Sequence, residues 1–141
     1  MTYNQLISAI QTVLESHPLI KGVKETTPQE WLMKESQPDF PVCCFNLLSL
    51  TSEKAYQEWN VQFFFLDKSG AEGEFQRDVI SDQNEIAQDI LERLRNNGEG
   101  YTIEGSTEIV FIQDKYEDYL AGVSFIVKIQ TTRTVSGCEI I

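Results

Sequence analysis

YQEWNVQFFFLD, residues Tyr56–Asp67, decides the fold. Trp59, Val61, Phe63 and Phe65 fall on one side of this stretch, with Glu58, Asn60, Gln62, Phe64 and Leu66 on the other. A period of two, carried by aromatic and β-branched residues, is the signature of a strand whose side chains alternate between two faces. The first face is wholly apolar. The second starts polar and ends apolar, so one end of the outer sheet face is expected to be shielded from water.

Three more strands are read outward from this one. LAGVSFIVKIQT (Leu120–Thr131) alternates Ala121, Val123, Phe125, Val127 and Ile129 with Gly122, Ser124, Ile126, Lys128 and Gln130. It forms a hairpin with Thr107–Lys115 around the polar turn Tyr116–Tyr119. Pro41–Leu50 is apolar on both faces, as in a central strand or one covered by a second subunit. The polar turn Thr51–Ala55 joins it to Tyr56–Asp67.

Each strand pair is preceded by an amphipathic helix. Tyr3–Ser16 carries the stripe Leu6, Ile7, Ile10, Val13 and Leu14 behind a Thr2/Gln5 capping box, and His17-Pro18 ends it. Asp82–Asn97 carries Ile86, Ala87, Ile90, Leu91 and Leu94 behind an Asp82/Glu85 capping box. Arg93 and Arg95 in its last turn suit the helix dipole, and Asn97-Gly98 is a stop signal. Between the first helix and first strand, the connector Leu19–Asp39 holds Thr27-Pro28-Gln29-Glu30, a cap followed by proline at the first helical position. A turn or two of helix through Trp31, Leu32 and Met33 follows, with Trp31 anchoring it to the core. Lys68–Arg77 reads as a loop.

The order α-β-β-α-β-β predicts an α+β fold: an antiparallel sheet of about four strands with two helices packed on one face. Residues 1–134 form a single domain, and 135–141 a C-terminal tail. Arg133–Ile141 is polar with an apolar tip at Ile140 and Ile141, which suits a fraying end or an arm docking on a neighbouring subunit.

Composition narrows the function. The chain has 141 residues, 41% hydrophobic and 23% charged, enough for one core without a metal or disulfide staple. Eleven basic against 22 acidic residues give a net charge of −11, which opposes binding to a phosphate backbone and serves solubility. The start MTYNQLISAIQTVLES lacks the basic n-region of a signal peptide, and no stretch approaches a membrane span, so folding in the cytosol is expected.

Catalytic signatures are missing. No G-x-S-x-G, H-E-x-x-H, P-loop or G-x-G-x-x-G occurs, and Gly70-Ala71-Glu72-Gly73 is too short and acidic to cradle a phosphate. Cys43 and Cys44 are strand neighbours facing opposite ways and cannot jointly clamp a metal; with Cys138 they make an odd set. His17 meets a cysteine only if the tertiary fold happens to bring them together. Asp114, Glu117 and Asp118 lack the spacing of an EF-hand loop and read as solvated turn residues. Tyr56, Trp59, Phe63, Phe64 and Phe65 lack the interleaved Lys or Arg of a single-strand binding site, so they read as core and interface. Neither an enzyme nor a cofactor is expected.

The capped first helix leads through the connector to DFPVCCFNL (Asp39–Leu47), then to the strand ending FFFLDK (Phe63–Lys68). The helix SDQNEIAQDILERLR (Ser81–Arg95) and the last strand GVSFIVKI (Gly122–Ile129) follow. From Thr2 to Thr131 this succession resembles the tail-terminator, tail-completion and head-to-tail connector proteins of tailed double-stranded DNA bacteriophages. The resemblance implies a homo-oligomeric ring of six or twelve copies in the virion, at the head–tail junction, assembled in the host cytoplasm. Its implied partners are other head–tail junction and tail-tube proteins. DNA passes through such a ring without sequence-specific binding, no membrane is involved, and the family offers no catalytic residues to carry over. The expected subunit contacts are Phe64, Leu66, Ile112 and Ile126 on the face opposite the core, with Ile140 and Ile141 of the tail. The connector Leu19–Asp39 could cover some of these itself. The alternatives are a cytosolic binding or regulatory module on the same sheet, or a small enzyme assembled from scattered acids, Cys43 or Cys44, and His17.

Overall fold

The computed structural model describes residues 1–34, 40–70, 75–96, 100–103, 105–115 and 120–132. Three helices and six strands follow in the order α1 (Tyr3–Glu15), β1 (Gly22–Glu25), α2 (Pro28–Lys34), β2 (Val42–Ser52), β3 (Tyr56–Lys68), α3 (Gln76–Arg95), β4 (Tyr101–Ile103), β5 (Ile109–Lys115) and β6 (Leu120–Thr132). The fold is α+β, as expected, but its sheet is mixed and six-stranded instead of antiparallel and about four-stranded. The strand order is β1-β2-β3-β6, with β4 and β5 lying in turn along the far edge of β6.

The added strands have a common cause. Four residues of β1 and three of β4 are too short for periodicity to register. Strand β1 pairs parallel with β2, Gly22 opposite Val42 and Glu25 opposite Phe45. Parallel neighbours require a crossover, and the connector supplies one: β1, α2 and β2 form a compact β-α-β unit. Helix α2 starts as its sequence suggests, with the Glu30 N–H donating to Thr27 Oγ1 at 3.4 Å.

The central antiparallel ribbon pairs β2 with β3 and β3 with β6 in the register that puts Phe45, Phe63 and Phe125 in one row. The Phe63 and Phe125 rings lie 5.1 Å apart and the Phe65 and Phe125 rings 5.6 Å apart. All four phenylalanines are fully buried, each contributing about 1.5–3 kcal/mol of hydrophobic stabilisation. Leu6, Ile10 and Leu14 of α1, with Ile86, Ile90, Leu91 and Leu94 of α3, close the core over this face. The Trp59 indole N–H donates to Thr131 Oγ1 at 3.0 Å inside it. The Thr2/Gln5 capping box forms as read.

Helix α3 corrects one reading. It begins at Gln76, so Asp82 and Glu85 lie within it and form no capping box, while Phe75 at the N-cap makes no side-chain cap bond. Val79 and Gln83 extend the buried stripe toward the N-terminus, and their packing holds a start that capping chemistry alone would have put later. Tyr116–Tyr119, Asn97-Gly98 and the tail Arg133–Ile141 lie outside the described residues.

At Gly122, β6 comes unusually close to β3. A Cβ there would sit 1.8 Å from the Phe65 carbonyl oxygen, so only glycine fits.

Candidate subunit interface

The sheet face opposite α1 and α3 is the candidate surface, and its two ends differ as the sequence of β3 requires. At the hairpin end it is polar: Asn60 Nδ2 donates to Ser49 Oγ at 2.8 Å, and Lys128 pairs with Glu58 at 3.9 Å. At the other end Val42, Cys44, Leu66, Ile112 and Leu120 form a second, smaller core beneath Trp31 of α2. Phe40 and Phe64 pack against its margin, and Lys68 Nζ sits 5.3 Å from the centre of the Phe40 ring.

This arrangement separates the expected contacts. Leu66 is 1% exposed and Ile112 5%, both covered by their own chain, so neither offers a surface to a neighbour. The connector took that role because the crossover between parallel strands must pass over a sheet face. Phe64 is half-buried at the margin of the second core. Ile126 is 50% exposed. Ile140 and Ile141 lie outside the described residues. Beside Ile126 on the same face, Val110 of β5 is also 50% exposed, opposite Ser124, which in turn faces Phe64 across β3. Phe64, Val110 and Ile126 thus surround the nearly buried Ser124 as one apolar row.

Several exposed apolar residues escaped the sequence reading. Leu48 and Leu50 on β2 and Phe111 on β5 sit on strands whose pairing was not resolved at their outer edges. Their signal was present as apolar residues in segments without charge, but edge position is a property of the assembled sheet.

Among the described residues the two thiols and His17 do not come together. Cys43 lies in the helix-covered core and Cys44 beneath Trp31, on opposite faces. Burial pushes the Cys44 thiol up to about 12 and holds Cys43 well above its ordinary 9.0, the reverse of nucleophilic activation. His17, buried at the end of α1, accepts the Leu19 N–H on Nδ1 and meets Asp89 Oδ2 through Nε2, each at 3.2 Å. That places its proton on Nε2 and makes it a pin between α1 and α3. The Tyr3 hydroxyl donates to Glu25, which raises its pKa and ties α1 to β1. Trp59, Phe63 and Phe65 are core residues.

Among the described residues no group of three or more His, Cys, Asp or Glu side chains is placed to hold a metal ion. Glu117 and Asp118, and the side chain of Asp114, fall outside them. A concavity of about 470 Å³ between α3 and the segment Pro18–Lys21 that follows α1 is lined by Asp67, Asp82, Glu85 and Asp89, with Lys21. None of the described helices is long and apolar enough to cross a membrane. No protein-family model matches the chain, and a search of curated proteins finds no match.

Proposed function

We propose that this protein is a structural subunit of a tailed-bacteriophage virion, one protomer of a ring at the head–tail junction, as tail terminator, tail-completion protein or connector. The observation that carries the reading is the apolar row on the outer face. Ile126 and Val110, each half exposed, lie between the end of that face that α2 covers and its polar hairpin end. A chain that covers Leu66 and Ile112 with its own crossover but leaves this row open has a surface suited to a neighbour. The resemblance across Thr2–Thr131 supplies the ring of six or twelve copies, the tail-tube and junction partners, and the site in the virion. A net charge of −11 suits a passage through which DNA slides without sticking.

The test is Ile126→Glu, which charges an exposed position and leaves the core intact. The purified variant is expected to fold with wild-type stability, yet phage carrying it should accumulate heads and tails that fail to join. Normal infectious particles would exclude this face as the contact. Absence of the wild-type protein from purified virions would remove the structural reading and favour a cytosolic binding module.

A further inference from the structure

We infer that copies of this chain join head to tail by pairing two strand edges: the free edge of β2 over residues 46–52 in one copy, and the outer edge of β5 over 109–113 in the next. The inference deepens the ring reading by naming its joint.

An unpaired strand edge is a standing invitation to another strand, and monomeric proteins blunt it by shortness, charge or cover. Among the described residues the sheet has four edge segments. Strand β1 spans four residues and ends in Lys24 and Glu25, and β4 spans only three. Both are blunted. The other two are not. Strand β1 covers β2 only from Val42 to Phe45, and no described strand pairs with β2 beyond that point on the same side. The segment left over, Asn46 to Ser52 (NLLSLTS), carries no ionisable residue, and Leu48 and Leu50 are 47% and 44% exposed. Among the described residues, strand β5 pairs only with β6. Its first five residues, Ile109 to Gln113 (IVFIQ), are equally free of charge, with Val110 50% and Phe111 57% exposed.

The occupant is a second copy, because the two edges match each other: both are uncharged and apolar, and they face opposite ways across the sheet. A protein of net charge −11 repels itself over most of its surface. Two neutral apolar edges are where copies can approach with the least of that penalty. The two edges lie on opposite sides of the sheet, so the contact is heterologous and can propagate. Strand β2 runs with β6 and β5 against it, so the new pair is antiparallel.

The edges also lie at opposite ends of the sheet. Opposed residues of an antiparallel pair share a face, so Ser49 meets Val110; Ser49 is level with Lys128 and Val110 with Ser124, four residues apart on β6. Each junction therefore staggers the copies by about 14 Å along the strands, at ~3.4 Å per residue. Across the four-strand repeat β2, β3, β6 and β5, at ~4.8 Å per strand, that is a tilt of about 35°, at the lower end of the ~35–45° that closed sheets adopt.

The test blocks each edge separately with lysine, on exposed positions that leave the fold intact. One variant is Leu48→Lys with Leu50→Lys; the other is Phe111→Lys. Native mass spectrometry up to about millimolar protein should show oligomers for wild type and monomers for each variant. An equimolar mixture of the two variants should yield dimers of twice the protomer mass and nothing larger, because one intact edge of each kind remains. Monomeric wild type at every concentration, undiminished oligomers in both variants, or no rescue on mixing would each overturn the edge pairing. Cross-linking of Ser49→Cys with Val110→Cys, in a Cys138→Ser background on purified virions, separates this from the ring reading. Virions that contain the protein but give no ladder would retain the ring and reject the joint. A ladder from the same purified variant in solution, with the protein absent from virions, would retain the joint and reject the ring.

Discussion

Removing the Trp31 ring should open one face of the sheet and leave the other closed. Trp31 is 7% exposed and lies over Val42, Cys44, Leu66, Ile112 and Leu120. Its helix is seven residues long, too short to hold itself without that anchor. Truncating a buried tryptophan to alanine costs about 3–5 kcal/mol. Here that loss falls on the docking of α2, because the phenylalanine core on the opposite face makes no use of the ring. At ~1.4 kcal/mol per tenfold, the population with α2 undocked should rise by roughly 10²–10³. The two thiols report this independently, since Cys44 lies under Trp31 and Cys43 under the helices. Each is labelled alone in a Cys138→Ser chain carrying Cys43→Ala or Cys44→Ala, with iodoacetamide in native buffer. Trp31→Ala should accelerate modification of Cys44 by that factor and leave Cys43 within a few-fold of its original rate. Equal acceleration of both thiols would mean that the two cores unfold as one unit. Unchanged Cys44 would mean that Trp31 is not its cover.

Two further outcomes rest on the same architecture. Gly122→Ala puts a methyl group 1.8 Å from the Phe65 carbonyl oxygen, and the strands must separate; a loss of about 3 kcal/mol or more is expected in urea denaturation. Stability should also fall in alkali. The Cys44 thiol ionises at about 12 when folded but near 9.0 when unfolded, so the unfolded chain releases its proton first as pH rises. The contribution is intact below pH 9 and declines above it, by about 1.4 kcal/mol at pH 10. Cys43 adds a loss of the same sign, and Cys44→Ala should flatten the urea midpoint between pH 8 and 10 relative to wild type.

The sequence by itself determined the central ribbon and the helices that cover it. Trp59, Val61, Phe63 and Phe65 can face one way only, because a strand alternates with a fixed period, and the stripes of α1 and α3 must be buried against them. The polar-to-apolar change along Glu58, Asn60, Gln62, Phe64 and Leu66 announced a cover over one end of the outer face. What lay over that end was decided by the tertiary structure. Parallel pairing of the four residues of β1 with β2 forces a crossover, and the crossover brings Trp31 onto Leu66 and Ile112, leaving Ile126 and Val110 outside. The early start of α3 has the same origin, in the burial of Val79. Which strands are edges is likewise a property of the assembled sheet, since NLLSLTS and IVFIQ read as ordinary strand sequence until their neighbours are known. Local periodicity reports the direction a side chain points. What it meets there depends on residues far away in the chain, and only the folded packing brings them together.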